Sequence, residues 1–181
     1  MACLILRSSG KIKEEFRRIT AVPLEQTFIS KLDGYTPKLM ELLKAKGVKI
    51  YSQHSKYISS QGHTIEKQRD GVIRSLTEYL RERAENLFKD GNDGSQEDFI
   101  EHVMMILVHG SSDGEPVVSI VLEGSKVLSK CESTAKACAL LMGLIYAINL
   151  QYPSKLKYTF LDLDGLKCSP KVWSLKYKLL T

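Results

Sequence analysis

Residues 137–148 read ACALLMGLIYAI, twelve positions without a charge. Lys136 precedes the run, Asn149 and Gln151 follow it, and Pro153 closes it. A membrane span needs about 20 apolar residues, and a run of about 10–14 belongs instead to a buried core helix. A helix apolar on every side must be surrounded by protein. The rest of the chain is therefore expected to fold around a core helix at about 130–150. Ser129 and Glu132 have capping-box spacing at its start, and Ser133 is a second N-cap candidate.

This helix carries a ridge of small residues, Ala135, Ala139, Gly143 and Ala147, spaced four apart. Leu141, Leu144, Ile145 and Ile148 lie opposite. A glycine costs a helix interior about 1 kcal/mol relative to alanine, so close packing is expected to offset Gly143. Small side chains at this spacing let another backbone or side chain approach closely. Packing inside the fold, against a helix or the sheet, is the first expectation. A stripe used for self-association is the alternative.

The flanking sequence alternates helical and extended patterns. SGKIKEEFRRI at 9–19 reads as a short charged helix that Pro23 bars from continuing. TPKLMELLKAKG at 36–47 reads as a helix with Thr36 at the N-cap, Pro37 at the first position and Gly47 as the stop. The serine-rich stretch 48–63 has no sustained period. It is expected as a connector between a helical segment at 1–47 and a main body at 64–181, unless the whole is one domain. From Thr64 to Lys89 apolar residues recur at steps of three and four, with a break expected near Arg83–Glu85.

The period then changes. HVMMILVH at 102–109 and PVVSIVLEG at 116–124 are rich in β-formers and separated by the turn-prone GSSDGE. The expectation is an antiparallel hairpin buried on both faces, completed by helix cover or a third strand. SPKVWSLKYKLL at 169–180 reads as a last helix, with Ser169 capping and Pro170 at its first position. The fold class is α+β, mostly helical.

Several blocks, in order, resemble a family of vertebrate proteins expanded in fish: EEFRRITAVPLEQTFISKLDGYTPKLMELLKAKG, IEKQRDGVIRSLTEYLRERAENLF, IVLEGSKVLS, ACALLMGLIYAINLQYPSKLKYTF and LDLDGLKCSPKVWSLKYKLL. The family resembled is that of the C-terminal region of sterile alpha motif domain-containing protein 3 and similar proteins. The resemblance covers nearly the whole chain and brings no catalytic residues. It implies proteins whose association domain, where present, lies upstream of this region. The chain departs from the family at Phe160, which runs directly into Leu161 where the family continues for about two further helical turns. A splice variant, a degraded copy and a lineage difference all fit that shortening.

Few residues suggest chemistry. DLDG at 162–165 lacks the further ligands and the terminal glutamate of a calcium loop. Cys131 and Cys138 stand seven apart with no second pair, Cys3 and Cys168 are isolated, and His54, His63, His102 and His109 are scattered. All four cysteines are expected as reduced thiols. The glycines at 91, 94, 110 and 114 form no phosphate-binding fingerprint, and no serine sits in a nucleophile elbow. His63, Glu66 and Asp70 share helical spacing, and His109 with Asp113 flanks the hairpin turn; both read as ordinary surface groups. No catalytic residue, metal or cofactor is expected.

The +5 net charge raises the question of nucleic acid. Lys155, Lys157, Lys167, Lys171, Lys176 and Lys178 are interleaved with Tyr158, Trp173 and Tyr177, a pattern compatible with a basic surface carrying aromatics. The same lysines fill the polar positions of amphipathic helices, and no nucleic-acid-binding signature accompanies them. The apolar start, residues 2–6, is too short for a secretory core, which points to a cytoplasmic or nuclear protein. The expected function is a non-enzymatic interaction or assembly module for an unknown protein partner, self-association included. A basic nucleic-acid-associated domain is the alternative.

Overall fold

The structure, a computed structural model, describes residues 8–47, 65–91, 103–110, 116–150 and 170–180. The expected connector 48–63, the segment 154–160 and the DLDG stretch lie outside these. Five α-helices and one four-stranded sheet make an α+β fold among the described residues.

Helix α1, Ser9–Thr20, forms where expected and buries Ile12 and Phe16, one turn apart. Ala21 ends it in the left-handed region (φ 58°), its N–H on the Arg17 carbonyl at 2.8 Å. The stop thus precedes Pro23 by two residues.

Helix α2 is Leu24–Ala45, 22 residues with Pro37 inside it, which corrects the expected start at Thr36. The Thr36 hydroxyl donates to the Leu32 carbonyl at 2.7 Å, back-bonding within the helix instead of capping it. Pro37 has no N–H for the Asp33 carbonyl, at a cost of about 3 kcal/mol in a helix interior. Burial of Leu24, Leu39 and Leu43 along the same helix offsets that cost, so tertiary packing overrides the local start signal. The C-terminal stop is the expected one: Gly47 lies at φ 61°.

Helix α3, Ile65–Tyr79, ends earlier than its periodicity implies. Arg81 takes φ 64°, its N–H bonds to Glu78 O at 2.8 Å, and Glu82 N–H reaches Thr77 O at 2.9 Å. This pair of bonds is a Schellman stop built on arginine, with no glycine to announce it. A 3-10 turn, Ala84–Asn86, leads into strand β1, Phe88–Asp90, where the sequence pattern continued as helix.

Strands β2, Met104–His109, and β3, Val117–Leu122, form the expected antiparallel hairpin, from Met104↔Leu122 to His109↔Val117. β1 adds to β2 in parallel. β4, Ser125–Cys131, adds to β3 in antiparallel fashion, giving the order β1-β2-β3-β4. Glu123 and Gly124, at φ 47° and 72°, connect β3 to β4 in the manner of a primed two-residue turn. By register, Ile106, Val118 and Ile120 share one face; Met105, Leu107 and Val121 share the other and form their own cluster. Both faces are buried, as two strands apolar at nearly every position require.

Helix α4, Thr134–Ala147, is the core helix, and ten of its residues are buried. Its N-cap is Ser133, whose Oγ accepts the Lys136 N–H at 3.3 Å. Ser129 lies inside β4, so it does not form the capping box. Asn149 (φ 50°) and Leu150, whose N–H bonds to Ile145 O at 3.0 Å, close the helix. Helix α5, Pro170–Leu180, starts at Pro170 as expected.

Contacts divide the chain into two compact units. One comprises Met1–Ser30 and Glu85–Pro153: α1, the start of α2, the sheet and α4. The other comprises Lys31–Ala84 and Ser154–Thr181, with a core of Leu39, Leu43, Val72, Leu80, Val172 and Leu175. Neither unit follows the 1–47 and 64–181 division. A boundary read from composition is contiguous in sequence, whereas each unit joins two distant stretches.

Candidate functional site

In the unit containing the sheet, the most specific geometry is the seam between α1, the start of α2 and α4. Ala135 and Ala139 are fully buried, Gly143 is buried, and Ala147 is half-buried. A Cβ placed on Gly143 would come within 2.5 Å of Leu24 Cδ2 and 2.8 Å of Ile12 Cγ2. The ridge therefore meets side chains of α1 and α2 at its glycine. One turn on, Phe16 and Tyr146 meet edge to face, with centroids 5.3 Å apart and planes at 81°, an arrangement that aromatic quadrupoles favour.

An ion chain borders this seam. Glu25 at the start of α2 pairs with Lys13 of α1 and, at 3.4 Å, with Lys136 of α4; Lys136 also holds Glu132. Burial alone would raise the Glu25 carboxyl, but hydrogen bonds and charge from Lys13 and Lys136 outweigh it and hold the group below its ordinary value. Lys136 is held above its own, first by Glu132 and then by Glu25. The arrangement joins helices and leaves no acid–base pair poised for catalysis.

Nor does the sheet supply one. Ser119 Oγ is fully buried and His109 Nδ1 is buried, neither has a hydrogen-bond partner among the described residues, and they are therefore not bonded to each other. Cys131 and Cys138 are buried free thiols, and burial pushes Cys131 up to about 11. Among the described residues no group of three His, Cys, Asp or Glu side chains could hold a metal ion. No described helix is long and apolar enough to cross a membrane.

In the other unit, Arg69 of α3 is a hub that sequence reading missed. Its Nε and Nη2 donate to the two carboxylate oxygens of Asp33 at 2.8 and 2.5 Å, and its Nη1 donates to Glu66 at 2.5 Å. Arg69 is only 12% exposed, which strengthens a two-pronged pair of this kind. It holds the Asp33 carboxyl below its usual value. Glu66 and Arg69 show helical spacing in sequence, but Asp33, 36 positions away, gives no such signal. Asp70 likewise pairs with Arg74, at 3.0 Å; His63, which shares its helical spacing, lies outside the described residues.

Of the basic series, Lys176 is exposed and Lys178 half-buried on α5; only the backbone of Lys171 is described, and Lys155, Lys157 and Lys167 lie outside the described residues. Tyr177 beside them is 69% exposed. Ile65 and Val103 are exposed singly, and two further exposed apolar side chains stand together at the α1–α2 corner. Ile19 is 46% and Val22 37% exposed, with Ala21 and Pro23 exposed next to them and Arg17 and Arg18 alongside. Comparison with protein-family models, curated proteins and solved structures finds no match to this chain.

Proposed function

We propose that this chain is a non-enzymatic, intracellular protein–protein interaction or assembly module. The observation that carries the reading is the corner at residues 19–23, where four apolar residues in five are exposed at the junction of two helices. Such apolar surface is normally buried by a partner when it is contiguous. Arg17 at its rim favours a partner whose own rim is acidic, whereas Arg18 is already paired with Glu15 at 2.6 Å. The resemblance to proteins that carry an upstream association domain supports the same class.

A second reading rests on α5, where exposed Lys176 adjoins the highly exposed ring of Tyr177. An exposed cation next to an exposed aromatic ring suits a single-stranded nucleic acid.

Affinity purification of the tagged chain, with and without nuclease, separates the two. Proteins retained after nuclease by the parent and lost from an Ile19→Ser/Val22→Ser variant support the interaction module. Recovery that disappears with nuclease supports the α5 reading. Equal recovery by parent and variant after nuclease overturns the role of the corner.

A further inference from the structure

Within α2, two residues unsuited to a helix interior stand three apart, Gly34 and Pro37. Gly34 faces open space, since a Cβ there would meet nothing within 4 Å, so no close packing demands the glycine. Pro37 is exposed and leaves the Asp33 carbonyl without its helical donor. The stretch is held by side chains, and Leu32 and Tyr35 within it pack against the core of their unit. Arg69 grips Asp33 with two hydrogen bonds and is itself anchored on Glu66, while the Thr36 hydroxyl ties back to Leu32. The boundary between the two contact units falls at the N-terminal edge of the same stretch, between Ser30 and Lys31.

We propose that residues 31–38 are a joint in α2 that opens locally, with the Asp33–Arg69 pair as its clamp. A helix designed only to be rigid has no use for a glycine in open space beside an exposed proline. A long-range ion pair placed at the weakest turn restrains that turn reversibly. Opening breaks the Asp33–Arg69 bonds and a few backbone bonds and frees Leu32 and Tyr35 from the core they pack against, while the buried Leu39 and Leu43 stay packed.

Amide hydrogen exchange on the whole chain tests this, because local opening and global unfolding expose different amides. In the parent, Gly34, Tyr35, Thr36 and Lys38 exchange faster than the amides of α4. Arg69→Gln raises their exchange by about tenfold and leaves α4 unchanged, whereas Gly34→Ala/Pro37→Ala lowers it by about tenfold or more. The double variant adds no side chain to a packed site, so it folds even where Arg69→Gln does not. Unchanged exchange at 34–38 in the double variant overturns the joint. An increase spread evenly over 34–38 and α4 in Arg69→Gln overturns the clamp.

Discussion

Gly143 has no room for even a methyl group. Ile12 Cγ2 sits on a branched carbon and moves only if the whole side chain rotates, and Leu24 is itself nearly fully buried. Two effects oppose in Gly143→Ala: a helix gain of about 1 kcal/mol and an overpacking cost of about 1–3 kcal/mol. We expect overpacking to win, with a net loss of about 1 kcal/mol for alanine and about 2–3 kcal/mol for leucine. Ala147→Leu, at a half-buried site, should lose less. Urea denaturation with sedimentation velocity checks the series; variants as stable as the parent would show the contact to be slack. The four-residue spacing was legible in the sequence because it is a property of one helix. The identity of what fills the groove was not, since Ile12 and Leu24 are over a hundred positions away.

At the scale of elements, the sequence signals worked wherever geometry and residue preference agree. Pro170 opens α5, Gly47 closes α2, and the change from a helical period to continuous runs of β-formers places the β2–β3 hairpin. They failed where residues without a strong preference take left-handed conformations. Arg81 ends α3 with no glycine or asparagine, and in the β3–β4 turn Glu123 takes the first left-handed position, where asparagine or aspartate is usual, with Gly124 at the second. The short strand β1 and the half-exposed β4 were hidden for the same reason. The start of α4 illustrates the ambiguity, because Ser129 is followed three residues later by a capping-box glutamate, Glu132, and Ser133 by a lysine, Lys136. Only Ser133 caps. Ser133→Ala should cost about 1 kcal/mol, as N-cap losses do, whereas Ser129→Ala, on an exposed strand position, should leave the thermal midpoint nearly unchanged. Equal losses in the two melts would return the cap to Ser129.

Across the whole molecule, composition and period were enough for the α+β class, because a buried helix and two strands apolar on both faces need mutual cover. The division into units was not legible, since contact between distant stretches leaves no mark on local composition. The seam of α1 with α4 has a further consequence, in time. Phe16 and Tyr146 are about 130 positions apart, so at typical synthesis rates α1 leaves the ribosome roughly 7–25 s before its partner. During that interval Ile12 and Phe16 have no groove to enter, and a helix this short is marginal alone in water. Ribosome-held chains ending at Cys131 and followed by an inert spacer should be cut by trypsin at Arg17 and Arg18, and chains extended to Leu150 should resist. Equal cleavage of the two would mean that α1 docks before α4 exists. The order of synthesis thus leaves α1 in need of shelter until α4 has been made.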